Sequence, residues 1–166
     1  MAGDTGPDLE LSATRRVRGS PGRVWAALTS KADLEAWWSP EDLRTTVRRL
    51  EVRPGGRVEF HVRYVPVLLT SGASETFRAA GIPVTFDLRG QFRDVVVDRR
   101  IEFDLTLEIG RAGAGVEMLT RFELAPHGAE TDVMVTGSGR DTPHWRTLGQ
   151  RNLEGQLERL ERQITP

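Results

Sequence analysis

The chemistry open to this 166-residue chain is bounded first by its reactive side chains. It has no cysteine, so disulfides, thiolate metal sites and thiol nucleophiles are excluded. Its three histidines, His61, His127 and His144, fall on the polar side of a predicted strand, in a turn and at a helix start. No two of them have the spacing of two ligands on one helix, so no metal site is expected. Ser138, Asp141 and His144 have the residue types of a hydrolytic triad. They lie in a loop running into a helix, with nothing to orient a base on the serine, so a triad is not expected. Gly110, Gly113 and Gly115 would cradle a phosphate only if a helix followed, and a strand pattern follows instead. Acid–base catalysis by paired carboxylates needs them facing inward. Every Asp and Glu of residues 101–109 and 116–124 falls at the polar parity, and Asp94, at the parity of Phe92, sits near a strand end. The doublets Arg15-Arg16, Arg48-Arg49 and Arg99-Arg100 are scattered and the net charge is -1, so nucleic acid is not an expected partner. The expectation is no catalytic residue, no metal and no cofactor.

What remains is a small set of polar or amphipathic residues at inward positions. Tyr64 and Thr120 share parity with apolar neighbours, and Trp38, Trp145, Asn152 and Gln156 lie on or beside the inner faces of their helices. A buried Trp or Tyr needs a partner for its polar atom, or must meet water or a ligand. Gly149 and Gly155 are unusual inside a helix, where Gly costs ~1 kcal/mol against Ala. Gly149 is expected to make room for a ligand or for a close strand.

The elements that must position these residues follow from periodicity. Leu9, Leu11, Ala13 and Val17 read as a first strand. Ser20-Pro21 and Ser30, with Asp33 three residues on, cap two short helices carrying Val24, Trp25 and Leu28, then Leu34, Trp37 and Trp38. Val47, Leu50 and Val52 mark a second strand with a bulge, and Pro54-Gly55-Gly56 a tight turn. Alternation then runs through Val58–Tyr64, Phe86–Phe92, Ile101–Ile109, Val116–Leu124 and Val133–Val135, joined mostly by short turns. That pattern is an antiparallel meander with one wet face, on which Arg89, Arg93 and Arg121 stand near Glu102, Asp104 and Glu123. Thr142-Pro143 opens a long amphipathic helix whose apolar stripe holds Trp145, Leu148, Leu153, Leu157, Leu160 and Ile164. Residues 66–83 break the pattern, with a helical turn around Glu75–Ala80, and are expected to form a rim or lid.

Hydrophobic residues are 38% and charged residues 28%, the composition of a globular protein, and no run approaches the ~18 apolar residues of a membrane span. The polar, acidic start MAGDTGPDLE does not resemble a secretory signal, so a cytoplasmic protein without membrane association is expected. Residues 1–7 read as a flexible tail and 8–166 as one domain. Lys31 is the only lysine, so nearly all the basic charge is arginine.

The order of elements, with Ser20-Pro21-Gly22-Arg23-Val24-Trp25-Ala26-Ala27-Leu28-Thr29, Leu34-Glu35-Ala36-Trp37-Trp38 and Val52-Arg53-Pro54-Gly55-Gly56-Arg57, resembles the START-like superfamily, also called Bet v 1-like or polyketide cyclase-like (SRPBCC). Within it the chain looks most like the branch named after the C-terminal domain of the activator of Hsp90 ATPase. Arg23 stands where that branch usually has Glu, and Asn152-Leu153 where it often has Gly-Trp, so the resemblance carries the fold and not a particular ligand. It implies an α+β helix-grip fold: a curved antiparallel sheet of about six to seven strands wrapped on a long C-terminal helix, with two short helices after the first strand. It also implies a cavity between sheet and helix. The inner aromatics fit that cavity, and so few helical side chains are not expected to fill it, leaving a pocket at one end. Its expected lining is Trp38, Phe60, Tyr64, Phe86, Phe92, Phe103, Met118, Thr120, Phe122, Trp145, Leu148, Gly149 and Asn152. The expected partner is a small hydrophobic or aromatic molecule, held in a carrier, sensor or sequestration role by a monomer or homodimer. The alternatives are a cyclase- or aromatase-like enzyme using the same cavity, self-resistance by sequestering an antibiotic, and a protein-interaction module.

Overall fold

The computed structural model describes residues 9–40, 42–65, 79, 85–109, 114–138 and 143–165, and among them alternating apolar residues and two serine caps build seven strands and three helices. In chain order these are β1 (Leu9–Val17), α1 (Pro21–Thr29), α2 (Lys31–Trp37), β2 (Leu43–Leu50), β3 (Arg57–Tyr64), β4 (Thr85–Val96), β5 (Arg100–Ile109), β6 (Ala114–His127), β7 (Glu130–Ser138) and α3 (Pro143–Ile164). The expected lid, residues 66–83, lies outside the described residues apart from Ala79, which is helical.

The sheet order is β1-β7-β6-β5-β4-β3-β2, and every pairing is antiparallel. Six of the strands form a meander, while β1 pairs across the chain with β7, so α1 and α2 carry the chain from one sheet edge to the other. The sheet is a curled half-barrel closed on α3. Its register slips between Val47 and Arg49 and between Phe92 and Asp94, the bulges that bend β2 and β4. The second bulge moves Asp94 out of the Phe92 parity and onto Arg100, whose Nε lies 2.6 Å from Asp94 Oδ2.

The caps act as their residue types require. Ser20 Oγ accepts from Arg23 N (3.2 Å) with Pro21 in the first turn. Ser30 closes α1 by donating its N–H to Ala26 O, and opens α2 by accepting from Asp33 N. On the outer face, Arg121 pairs with Glu102 and Arg93 with Asp104, as the strand parity predicts, while Arg89 pairs with Asp87. On α3, Leu153, Gln156, Leu157, Leu160 and Ile164 are buried. The helix is pinned at both flanks. Gln150 Nε2 donates to Ser12 O (2.8 Å), and Arg159 donates to Trp37 O (2.9 Å) and Trp38 O (3.2 Å) at the end of α2.

Candidate functional site

The inner face of the sheet carries the aromatic residues in adjacent registers. Phe60 and Tyr64 come from β3, Phe86 and Phe92 from β4, Phe103 from β5, and Met118, Thr120 and Phe122 from β6. Phe92 stands opposite Phe103, Phe103 opposite Thr120, Leu105 opposite Met118, and Ile101 opposite Phe122. Trp38, Phe60, Tyr64, Phe86, Phe92, Phe103 and Phe122 are all buried, and Met118 and Thr120 are partly so. The structure therefore brings eight of these together on one wall of the sheet, with Trp38 packed against it from the end of α2. Trp145 and Leu148 lie in α3, but their side chains are outside the described residues.

The deep end of this wall is filled. The space left among Leu28, Leu34, Trp38, Leu50, Val58, Phe60, Phe92, Ile101, Phe103 and Phe122 is about 10 Å³, at or below what one water needs. At this end, therefore, helical side chains do fill the space over the sheet. Two indoles from α2 do the filling. Trp38 packs on Phe60 and Phe103 with ring centroids 5.1 and 5.8 Å apart, and Trp37 meets Phe122 edge-on at 6.2 Å. Trp37 also donates from Nε1 to Ala27 O (2.9 Å), which answers the need of a buried indole for a partner.

Two residues of the expected lining have other placements. Asn152 is exposed. It lies two turns before Arg159 on the same flank of α3, beside the stripe of Leu153 and Leu157 rather than within it. Gly149 makes room for a strand: a Cβ there would stand 2.6 Å from Leu11 Cδ1 of β1. One buried polar residue of α3, Gln156, enters from the inner face, and its Oε1 has no hydrogen-bond partner among the described residues. Its position in a stripe of leucines was the available signal. Asp42 and Thr45, also buried, carry no such signal in the sequence; Asp42 has a partner, and Thr45 is bonded to Ser39.

Of the residues weighed for catalysis, Asp141 and the side chain of His144 lie outside the described residues, and the others stand apart. His61 and Asp87 pair on the outer face, His127 lies beside Arg16 and Asp132, and Ser138 Oγ accepts from Leu119 N. Among the described residues no cluster of His, Asp or Glu is placed to hold a metal. The shifted acids lie on the outer face or in a turn. Asp132 is held below its ordinary range by the Arg16 guanidinium, and Glu51 by the Arg57 backbone N–H. A larger concavity, about 710 Å³, lies outside the grip between α2, the β2 edge and the last turns of α3. It is open and polar, lined by Glu35, Ser39, Arg44 and Arg159 among others.

A seven-stranded antiparallel half-barrel curled on one long helix, with two short helices after its first strand, defines the helix-grip class of the START-like (SRPBCC) superfamily. The sequence pattern of the family described as "Activator of Hsp90 ATPase homolog 1-like protein" matches residues 18–164, and the chain belongs to that family. Solved structures with the same fold include a protein from Chromobacterium violaceum, at 18% identity and TM-score 0.70, covering 94% of this chain and 97% of that one. An AHSA1-like protein from Aeromonas hydrophila has 20% identity and TM-score 0.65, covering 93% and 92%. The AHSA1 protein from Silicibacter pomeroyi has 14% identity and TM-score 0.71, covering 93% and 96%. No curated protein matches the sequence.

Proposed function

We propose that this chain binds a small hydrophobic or aromatic molecule between the inner wall of β3–β5 and α3, on the strand-end side of the filled core. The observation that supports this reading is an asymmetry. Helix α3 packs mainly on β1, β7, α1 and α2, whereas Phe60, Tyr64, Phe86, Phe92 and Phe103 stand on β3–β5. Trp37 and Trp38 complete the wall at its deep end. Toward the strand ends, Tyr64 and Phe86 continue it beyond the residues that close the deep core. An apolar wall with few convergent polar groups suits a ligand held by burial and oriented by one or two hydrogen bonds. The absence of an inward acid–base pair among the described residues favours holding a molecule over transforming one.

The test is native mass spectrometry of the protein recovered from its source cells, with a denatured control. A reproducible extra mass lost on denaturation is expected. A bare mass, together with no quenching of Trp fluorescence by apolar aromatic probes, would overturn the reading. Recovery of a molecule that the protein converts to a second mass would move the function to a cyclase-like enzyme.

A further inference from the structure

We infer that the side-chain amide of Gln156 is the polar anchor of this pocket, and that the molecule bound there carries a hydrogen-bond donor, a hydroxyl or an N–H, on an apolar frame. The inference rests on the pocket reading above. Gln156 is 4% exposed, and it shares the inner face of α3 with Leu153, Leu157 and Leu160. Its Oε1 is an acceptor with no donor among the described residues. A buried polar atom left in that state bears its full desolvation cost, and a leucine at the same position would bear none.

Among the described residues two other buried oxygens share the condition, Thr136 Oγ1 and Thr165 Oγ1. Thr136 alternates with the inward Val135 and Gly137 on β7 and so faces away from the grip, and Thr165 lies past the end of α3. Gln156 is the one of the three on the inner surface. Arg159, three residues on, reaches the carbonyls of Trp37 and Trp38, so this flank of α3 faces the end of α2. Trp38 continues from there into Phe60 and Phe103. Gln156 is thus on the side of α3 turned toward the end of α2 and the aromatic wall, where the proposed pocket has its lower boundary.

The test compares naphthol with its methyl ether, two probes of one frame of which only the first donates. Binding is followed by displacement of anilinonaphthalene sulfonate fluorescence, with wild-type protein and Gln156→Leu. Wild type is expected to prefer naphthol by about 3- to 10-fold. Gln156→Leu is expected to bind both probes alike while its Tm rises by about 2–4 °C, because the orphaned oxygen is gone. Equal binding of the two probes by wild type, or a preference that survives in Gln156→Leu, overturns the donor assignment and leaves the pocket standing. A fall in Tm means that Gln156 holds a protein partner, and also overturns it. Binding of neither probe by wild type removes the pocket itself, and this inference with it.

Discussion

Asp87 sits on the outer face of β4 with three cationic or hydrogen-bonding neighbours. His61 Nδ1–H donates to its Oδ1 (2.7 Å), and Arg48 and Arg89 lie at 3.4 and 3.3 Å. The His61 hydrogen bond, against an opposing contribution from burial, holds the carboxyl below its ordinary value of 3.8. A carboxyl lowered in the folded state stabilises fully above its unfolded pKa, and that contribution is lost as pH falls through the folded pKa. Asp87→Asn is therefore expected to flatten the acid limb of a Tm-against-pH curve below about pH 4. An unchanged acid limb would count against the His61–Asp87 pair as a stabilising contact. Trp37 does a different task in the interior. Its Nε1 satisfies Ala27 O, one of the last carbonyls of α1, which has no partner within its own helix. Trp37→Phe keeps most of the apolar volume and removes the donor, so urea unfolding is expected to show a loss of about 1–3 kcal/mol.

At the scale of the element, two glycines inside regular elements have different reasons. At Gly90 in β4, a Cβ would stand 1.8 Å from the backbone oxygen of Asp104, so the paired strand itself would have to move. At Gly149 in α3 the obstacle is the flexible end of Leu11, 2.6 Å away. Gly90→Ala is expected to cost about 3 kcal/mol or more, at the upper end of overpacking. Gly149→Ala gains ~1 kcal/mol of helix propensity against the displacement of one methyl, and is expected to end within about 1 kcal/mol of wild type. Chemical denaturation of the two variants side by side checks the order. Strand β2 is a sheet edge, and Glu35 of α2 covers part of it by accepting from Val47 N at 2.8 Å. Removing that carboxylate leaves an edge donor open to a second chain. Glu35→Ala is expected to lower stability by about 1 kcal/mol and to associate with rising concentration in sedimentation velocity.

At the scale of the molecule, the proposed function divides the grip into two regions. The deep end, closed by α1, α2 and the inner residues of β2 to β6, is packed to within about 10 Å³. The strand-end half is where a bound molecule would add to stability. An apolar probe present at 100 times its Kd is expected to raise Tm by about 5–10 °C, since binding only the folded state adds about 2.7 kcal/mol. No shift with any apolar probe would weigh against the proposed function independently of mass spectrometry.

Local rules were enough for most of the architecture. Ser20-Pro21 and Ser30 announce their helices because a cap is satisfied within three residues. Strands β3 to β7 announce themselves because alternation must match one buried face, and the leucines of α3 because a helix repeats every 3.6 residues. The inner wall of Phe60, Tyr64, Phe86, Phe92, Phe103 and Phe122 was legible for the same reason. Whether that wall was filled was not legible, because volume belongs to elements that meet only in the fold. Trp37 and Trp38, read as one face of a short helix, are what close the deep half. The pairing of β1 with β7 across the chain, the Leu11 methyl against Gly149 and the unpartnered oxygen of Gln156 were likewise decided only by tertiary structure. Each depends on groups brought together from distant parts of the chain, and no periodicity encodes the distance between them.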